Sequence, residues 1–302
     1  MLVIIAGATA TGKSGAAVSL AKLTGAEIIS ADSMQVYRGM DIGTCKITTE
    51  EMQGIKHYLV NEASPHENFS AARFKELAEK AADSIRASGK TAIIAGGTGL
   101  YINSIIRGLS PEGGAGQELR ESLRGELKEL GLGHMAGVLA ALDPEAAAEI
   151  DVKNSRRVLR AIEQIKSSGK TLREIRGAAA DTIYKDDYKL FILELPRAEL
   201  YERLDKRVDG MLQRGLAGEV KNLLDSGFLP GETAMQAIGY KEMALYLKGL
   251  IAYETAVEMI KRATRNYAKR QETWFKKYPE AERIGVSGLS AGDIAAVIAG
   301  RI

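Results

Sequence analysis

At 302 residues, 45% hydrophobic and 26% charged, the chain is long and apolar enough for a full core plus a smaller second module. A formal net charge of +2 does not by itself require a polyanionic partner, and a single cysteine, Cys45, excludes an intramolecular disulfide or a cysteine-rich zinc site. The chain opens on a core strand without a basic leader and has no apolar run of about 18 residues, so a cytoplasmic protein with no membrane partner is expected.

Leu2 to Ala6 is a continuous apolar run, read as a buried strand. Gly7-Ala8-Thr9-Ala10-Thr11-Gly12-Lys13-Ser14 follows at once, and an amphipathic stretch begins at Ala16. Strand, glycine-bounded loop and helix in this order carry the G-x-x-x-x-G-K-[ST] spacing of a P-loop. Backbone N–H groups at the start of such a helix point into the loop, so a diphosphate can sit there. Lys13 would add a full charge, and the Ser14 hydroxyl would ligate Mg²⁺. The loop predicts a phosphorylated ligand without saying what becomes of it.

Glu27 to Ser30 reads as a second buried strand, which places Asp32, Ser33 and Gln35 at the sheet edge where open α/β folds bind ligands. Residues 40–54 read as loop and 57–60 as a short strand; residues 70–88 have helical periodicity and stop at Gly89. Thr91 to Ala95 is another buried strand, ending in Gly96-Gly97-Thr98-Gly99-Leu100-Tyr101. The alternation predicts an α/β fold, a P-loop NTPase-like parallel sheet with helices on both faces. The character changes near Gly108, and loop chemistry at 111–116 suggests a boundary. Beyond it only helices are expected: a leucine stripe (Leu119, Leu123, Leu127, Leu130), a helix opened by Asp143-Pro144, one capped by Asn154 and ended by Gly169, and a capping box at Thr171–Glu174. The predicted domains are a core of 1–114 and 183–302 and a small all-helical insertion of 115–182. The chain returns to strand at 189–193, continues as a helix with Arg203, Arg207 and Arg214, and breaks at Gly239-Tyr240. A long helix at 254–277 places Ile260, Ala263, Tyr267 and Trp274 near one face, and 282–286 reads as a last strand.

Three strand ends converge in this scheme. Asp32 beside a bound diphosphate could ligate Mg²⁺, directly or through water, or act as a general base; its alternative is an Asx-turn. Thr98 offers a hydroxyl between glycines, or is simply a turn residue. Arg203 and Arg207, four apart on one helix face, suit a lid closing on an anion, or a solvated face paired with its own acids. Arg156, Arg157 and Arg160 head an insertion helix. Seven bases against Glu272 lie between Lys261 and Lys277, interleaved with Tyr267, Trp274 and Phe275. That suits an RNA backbone, or is a solvated helix face. His57, His66 and His134 have no metal spacing.

The stretch Asp32-Ser33-Met34-Gln35-Val36-Tyr37-Arg38-Gly39, with Met40-Asp41-Ile42-Gly43-Thr44 after it, resembles the tRNA dimethylallyltransferase (tRNA isopentenyltransferase) family. The likeness continues through Gly96–Tyr101, Ser155–Ala161, Leu200–Leu204, Ala237–Glu242 and Thr264–Trp274, and so covers nearly the whole chain. Ala8, Thr11, Ser14 and Ile47 depart from the usual family residues without removing a phosphate-binding group. The resemblance implies transfer of a dimethylallyl group from dimethylallyl diphosphate to N6 of adenosine 37, in tRNAs reading codons that begin with U. It implies that the P-loop, Lys13, Mg²⁺ (on Ser14 and Asp32) and Arg207 hold the departing diphosphate. Asp32 would accept the proton of the attacking amine, and Thr98 would lie near leaving group and base. Asp32, Ser33, Met34, Gln35 and Thr98 match tRNA-contacting positions of the family. So do Arg120, Arg156, Arg157, Val158, Leu159, Arg160, Gln236, Gly239, Tyr240 and Lys241. The insertion would then grip the anticodon stem-loop, with the enzyme a monomer. A P-loop small-molecule kinase and a free-nucleotide (AMP or ATP) isopentenyltransferase are the alternatives; a pure RNA-binding module would need neither Lys13 nor Asp32.

Overall fold

The computed structural model describes residues 1–109, 116–180, 188–229 and 231–302. These form two compact units: Met1–Ile102 with Asp186–Ile302, and Asn103–Lys185. Of the loop expected at 111–116 only Gly116 is described, and the expected return point at 182–183 lies outside the described residues.

The first unit is built on six parallel strands: β1 (Leu2–Gly7), β2 (Glu27–Ser30), β3 (His57–Tyr58), β4 (Ala92–Gly96), β5 (Tyr188–Glu194) and β6 (Glu282–Gly285). Their order is β3-β2-β4-β1-β5-β6. Every residue of β1 is buried, as expected for a parallel strand covered on both faces. Helix α1 (Lys13–Thr24) lays Ala17, Leu20 and Ala21 into a cluster with Val3, Ile5 and Phe191. Ile294 and Ile298 of the last helix join that cluster. The segment expected to be loop at 40–54 holds one short helix, α2 (Thr49–Met52), started by a reciprocal Thr48–Glu51 capping box. Helix α3 (Ala71–Ala87) is capped by the Ser70 hydroxyl and buries Phe74, Ala78 and Ile85. Helix α4 (Gly99–Ile106) follows β4 and runs on into the second unit.

The second unit holds α5 (Gln117–Leu142), α6 (Pro144–Glu149), α7 (Ser155–Ser168) and α8 (Leu172–Ala180). Leu123, Met135, Leu139, Val158, Ile162 and Leu172 form its core. Leu130, expected in the leucine stripe, is 53% exposed, because α5 is interrupted at Gly131 (φ 81°) and the stripe ends with Leu127. One oxygen of Asp143 caps α6 through Ala146 N–H (3.0 Å) and the other accepts from Leu172 N–H (2.8 Å), so one carboxylate ties two helix starts together. Those N–H donors, Ala146 first, hold the Asp143 carboxyl below the usual range.

The first unit is completed by α9 (Arg197–Gln213), α10 (Leu216–Asp225), a 3₁₀ turn (Ala234–Gln236), α11 (Tyr240–Leu247), α12 (Tyr253–Phe275) and α13 (Ala291–Ala299). The buried face of α12 differs from the one expected. It runs through Ala256, Ile260, Thr264, Ala268, Gln271 and Phe275, with Ala263, Tyr267 and Trp274 at its margin. Two polar residues on that face are paired: Thr264 donates to Ile260 O (2.8 Å), one turn back in the same helix, and Gln271 reaches the sheet edge.

Candidate functional site

Parallel register brings three loops together. Ala6 pairs with Gly96, and Ser30 with Ala95, so the chain leaves β1, β2 and β4 side by side at their carboxyl ends. Thr98 N–H donates to Ala31 O (3.2 Å), which locks the ends of β4 and β2 to each other.

The loop Gly7–Ser14 turns between β1 and α1 with Ala10 (φ 67°) and Gly12 (φ 87°) in left-handed conformations. Its shape is braced from within. Thr11 is buried and its hydroxyl donates to Ala8 O (2.8 Å), so this side chain is part of the loop's frame. Lys13 Nζ donates to the same carbonyl (2.6 Å), while Ser14 is exposed at the helix start. The cradle therefore offers backbone amides, one ammonium and one hydroxyl.

Asp32 combines the two roles that the sequence left open. Its Oδ1 accepts from Met34 N–H (2.9 Å) and Gln35 N–H (3.2 Å), an Asx-turn. Among the described residues no hydrogen bond engages Oδ2. Thr98 Oγ1 accepts from Ser33 N–H (3.0 Å) and lies 3.3 Å from Ser33 Oγ, so Thr98 is tied to the residue that follows Asp32 in the chain. Met34 is half-buried; Gln35 is buried and donates to Cys45 O (3.3 Å) and Thr44 O (3.5 Å).

Two cations face this edge. Burial, and then the nearby Arg207, lowers the Lys13 pKa to about 7, against the pull of Asp32. Arg207 Nη2 donates to Thr44 O (3.1 Å). The shared-face lid of Arg203 and Arg207 is not what forms: Arg203 pairs with Glu199 one turn back (2.7 Å), so only Arg207 turns to the site.

Helix α12 closes the site from the far end of the chain, a contribution the sequence reading missed. Gln271 Oε1 accepts from Thr9 N–H (2.8 Å), and its Nε2 donates to Gly97 O (2.9 Å). A Cβ at Gly97 would lie 2.2 Å from Gln271 Nε2, and one at Gly99 would lie 2.2 Å from Trp274 Cδ1, so glycine at both places is a condition of this approach. Tyr267, beside Thr98 and Gln271, has its pKa pushed up to about 12, by burial first and by Asp32 second. It is therefore a neutral hydroxyl near Asp32 and Thr98. The signal was present: a glutamine on a helix face where the neighbouring turns are apolar.

The remaining candidates fall into different surroundings. Gln236 is exposed, and Lys241, half-buried, pairs with the buried Glu242 (3.6 Å). Gly239 N–H donates to Glu242 (2.8 Å). Tyr240 is fully buried and its hydroxyl donates to Glu219 (2.6 Å), so this side chain is structural. In the helical unit, Arg120 and Arg160 both hold Glu163 Oε1, at 2.5 and 3.1 Å. Arg156 and Arg157 are exposed, and among the described residues neither makes an ion pair. Val158 belongs to that unit's core and Leu159 packs against it, so neither side chain presents a charged or polar group. The basic run of α12 is partly spent on α9, through Lys261–Asp209 (2.6 Å) and Arg265–Asp205 (2.6 Å); Arg262, Lys269, Arg270 and Lys276 stay exposed.

Among the described residues no group of three or more His, Cys, Asp or Glu could hold a metal unaided. One hydroxyl at Ser14 and one open carboxylate oxygen at Asp32 suit Mg²⁺, which takes one or two protein oxygens and completes its shell with phosphate and water.

Comparison with known proteins points one way. The sequence model of the IPP transferase family matches residues 35–278. A tRNA dimethylallyltransferase of Clostridioides difficile is 45% identical over 284 residues, 93% of this chain and 90% of the relative. That of Acetivibrio thermocellus is 46% identical over 277 residues, 91% and 88% of the two chains. Among solved structures, the tRNA delta(2)-isopentenylpyrophosphate transferase of Staphylococcus epidermidis is similar with a TM-score of 0.73 and 42% identity, covering 99% of this chain and 97% of that one. A eukaryotic dimethylallyltransferase captured acting on tRNA is similar with a TM-score of 0.84 and 29% identity, over 99% and 77% of the two chains.

Proposed function

The chain belongs to the IPP transferase family, and we propose that it transfers a dimethylallyl group from dimethylallyl diphosphate to N6 of adenosine 37, beside the anticodon of tRNAs reading codons that begin with U. It is a tRNA-prenylating enzyme; its relatives carry the name tRNA dimethylallyltransferase, and neither the kinase nor the free-nucleotide alternative is favoured.

The single observation behind the chemistry is the open Asp32 Oδ2 at an edge that also holds a phosphate cradle with Lys13 and Arg207. An allylic C–O bond ionises readily because the cation is delocalised, so the enzyme's main task is to stabilise the departing diphosphate. The Gly7–Ser14 amides, Lys13 and Arg207 are suited to that. The exocyclic amine of adenine is a weak nucleophile, and Asp32 Oδ2 takes its proton as the new C–N bond forms. The Oδ1 bonds fix the carboxylate plane, and Thr98 with the neutral Tyr267 hydroxyl completes the polar wall. Ser14, with Asp32 through a bound water, would hold Mg²⁺, which would supply further charge against the leaving group. To reach Asp32 the adenine must leave the anticodon stack. The exposed Arg156 and Arg157, with Arg120 and Arg160, serve the phosphates of the anticodon stem-loop, as do Gln236 and Lys241. The enzyme works as a monomer in the cytoplasm, where its tRNA is.

The test supplies Mg²⁺, labelled dimethylallyl diphosphate, and either unmodified tRNA with A36-A37-A38 or AMP. Label should enter tRNA at A37 alone. Label in AMP only, or consumption of ATP phosphate instead, overturns the reading.

A further inference from the structure

The segment that carries Thr44 is held from outside by a carboxylate for which the reaction so far has no use. Glu219, on α10, accepts three successive backbone N–H groups: Asp41 (2.9 Å) and Ile42 (2.7 Å) on Oε2, and Gly43 (3.1 Å) on Oε1. The Tyr240 hydroxyl adds a fourth bond to Oε1 (2.6 Å). The Tyr240 ring lies against Gly43 so closely that a Cβ there would be 2.4 Å from Cε2. From the other side the buried Lys46 ammonium binds Tyr37 O (2.5 Å), Asp41 Oδ1 (2.6 Å) and Asn61 Oδ1 (2.6 Å). The turn is thus clamped between an anion and a cation, and what it presents inward is the Thr44 carbonyl. That oxygen takes both Arg207 Nη2 (3.1 Å) and Gln35 Nε2 (3.5 Å).

We propose that Glu219 is a positioning residue for the prenyl transfer: by fixing the 41–44 turn it aims the Thr44 carbonyl, and through it the Arg207 guanidinium, at the leaving diphosphate. A carboxylate suits the task because it offers acceptors only, so three N–H groups and a phenol can converge on it without a competing donor. Glutamine would turn an N–H₂ group against at least one of those donors. The inference rests on the role given above to Arg207.

A double-mutant cycle tests it on the full-length enzyme with tRNA and dimethylallyl diphosphate. Glu219→Gln should lower kcat about tenfold or more, as expected for a group realised in the transition state, while the Kd for tRNA measured without donor stays within about twofold. In an Arg207→Ala background the same change should cost less than about twofold, because the residue it acts through is gone. Glu219→Asp should recover part of the loss. Tyr240→Phe, which removes one bond and leaves the backbone nest filled, should show a smaller loss with the same dependence on Arg207, and it decides the matter should Glu219→Gln not fold. Losses that multiply independently of Arg207, or unchanged kinetics, overturn the proposal. Absence of transfer by the unaltered enzyme would instead overturn the function itself.

Discussion

The edge of the sheet that carries the Gly7–Ser14 loop and the arginine face of the helical unit are both cationic, but they are built by opposite means. At the sheet edge the positive groups are mostly backbone amides, held by glycines, internal braces and a glutamine from α12; Arg207 adds a whole charge and Lys13 one only when protonated. On the helical unit the charges are long side chains, the half-buried Arg160 and the exposed Arg120 sharing Glu163 and the exposed Arg156 and Arg157 making no ion pair among the described residues. The first arrangement fixes its atoms in place. The second offers charge on long side chains in solvent, which salt screens.

The contrast is sharpest at Asp32. Asp32→Asn keeps the acceptor for Met34 and Gln35 N–H but removes the base, so turnover should fall by about 10²–10⁴-fold. The Kd for tRNA should change little; unchanged turnover in single-turnover assays would remove Asp32 from the mechanism. The next effect is in pH. A free Lys13 with a pKa of about 7 gains protonation when a diphosphate binds beside it, so binding should take up a proton and weaken by up to about tenfold per pH unit above pH 7. Titration calorimetry in buffers of different ionisation enthalpy measures that uptake directly. In the absence of ligand the sign is reversed: between about 7 and 10.5 the unfolded chain holds the extra proton, so this group's contribution to stability rises with pH across that window. Lys13→Met should abolish both dependences.

Smaller changes belong to the arginine face. Arg156→Ala should weaken tRNA binding and lower the slope of log K against log salt by about 0.7–0.9, with the KM for dimethylallyl diphosphate unaltered; an unchanged slope would take Arg156 off the RNA. The smallest effect should come from Arg203→Ala. Its pair with Glu199 is a half-exposed helix pair, so the loss should stay below about 0.5 kcal/mol by thermal melting, with kcat intact. A large loss of kcat would restore the two-arginine lid that the ion pair argues against.

What could be read from the sequence follows the same division. The Gly7–Ser14 loop and the strand ends at Asp32 and Thr98 were legible because their signals are local: an apolar run, glycines at fixed spacing, a polar residue just past a strand. The buried face of α12 was misjudged by one position because Thr264 and Gln271 look like surface residues until their partners, one of them at Gly97, are known. Arg203 and Arg207 are alike in sequence, and what separates them is the carbonyl of Thr44, 163 residues earlier in the chain than Arg207. Val158 and Tyr240 sit inside motifs that the resemblance assigns to tRNA contact, yet a motif does not say which of its side chains turn inward.

The clasp made by Gln271 has a consequence for how the protein comes into being. Thr9 and Gln271 are 262 positions apart, so the Gly7–Ser14 loop is synthesised long before the side chain that braces it. Its central strand must also wait for β4 and then β5 before it has neighbours on both sides. Contacts of such sequence separation form late, after the chain's local helices. A nascent chain that has not yet reached α12 carries every residue of the Gly7–Ser14 loop but lacks the bond that seats Thr9. The order of synthesis thus leaves this loop without its outer brace until α12 has been made.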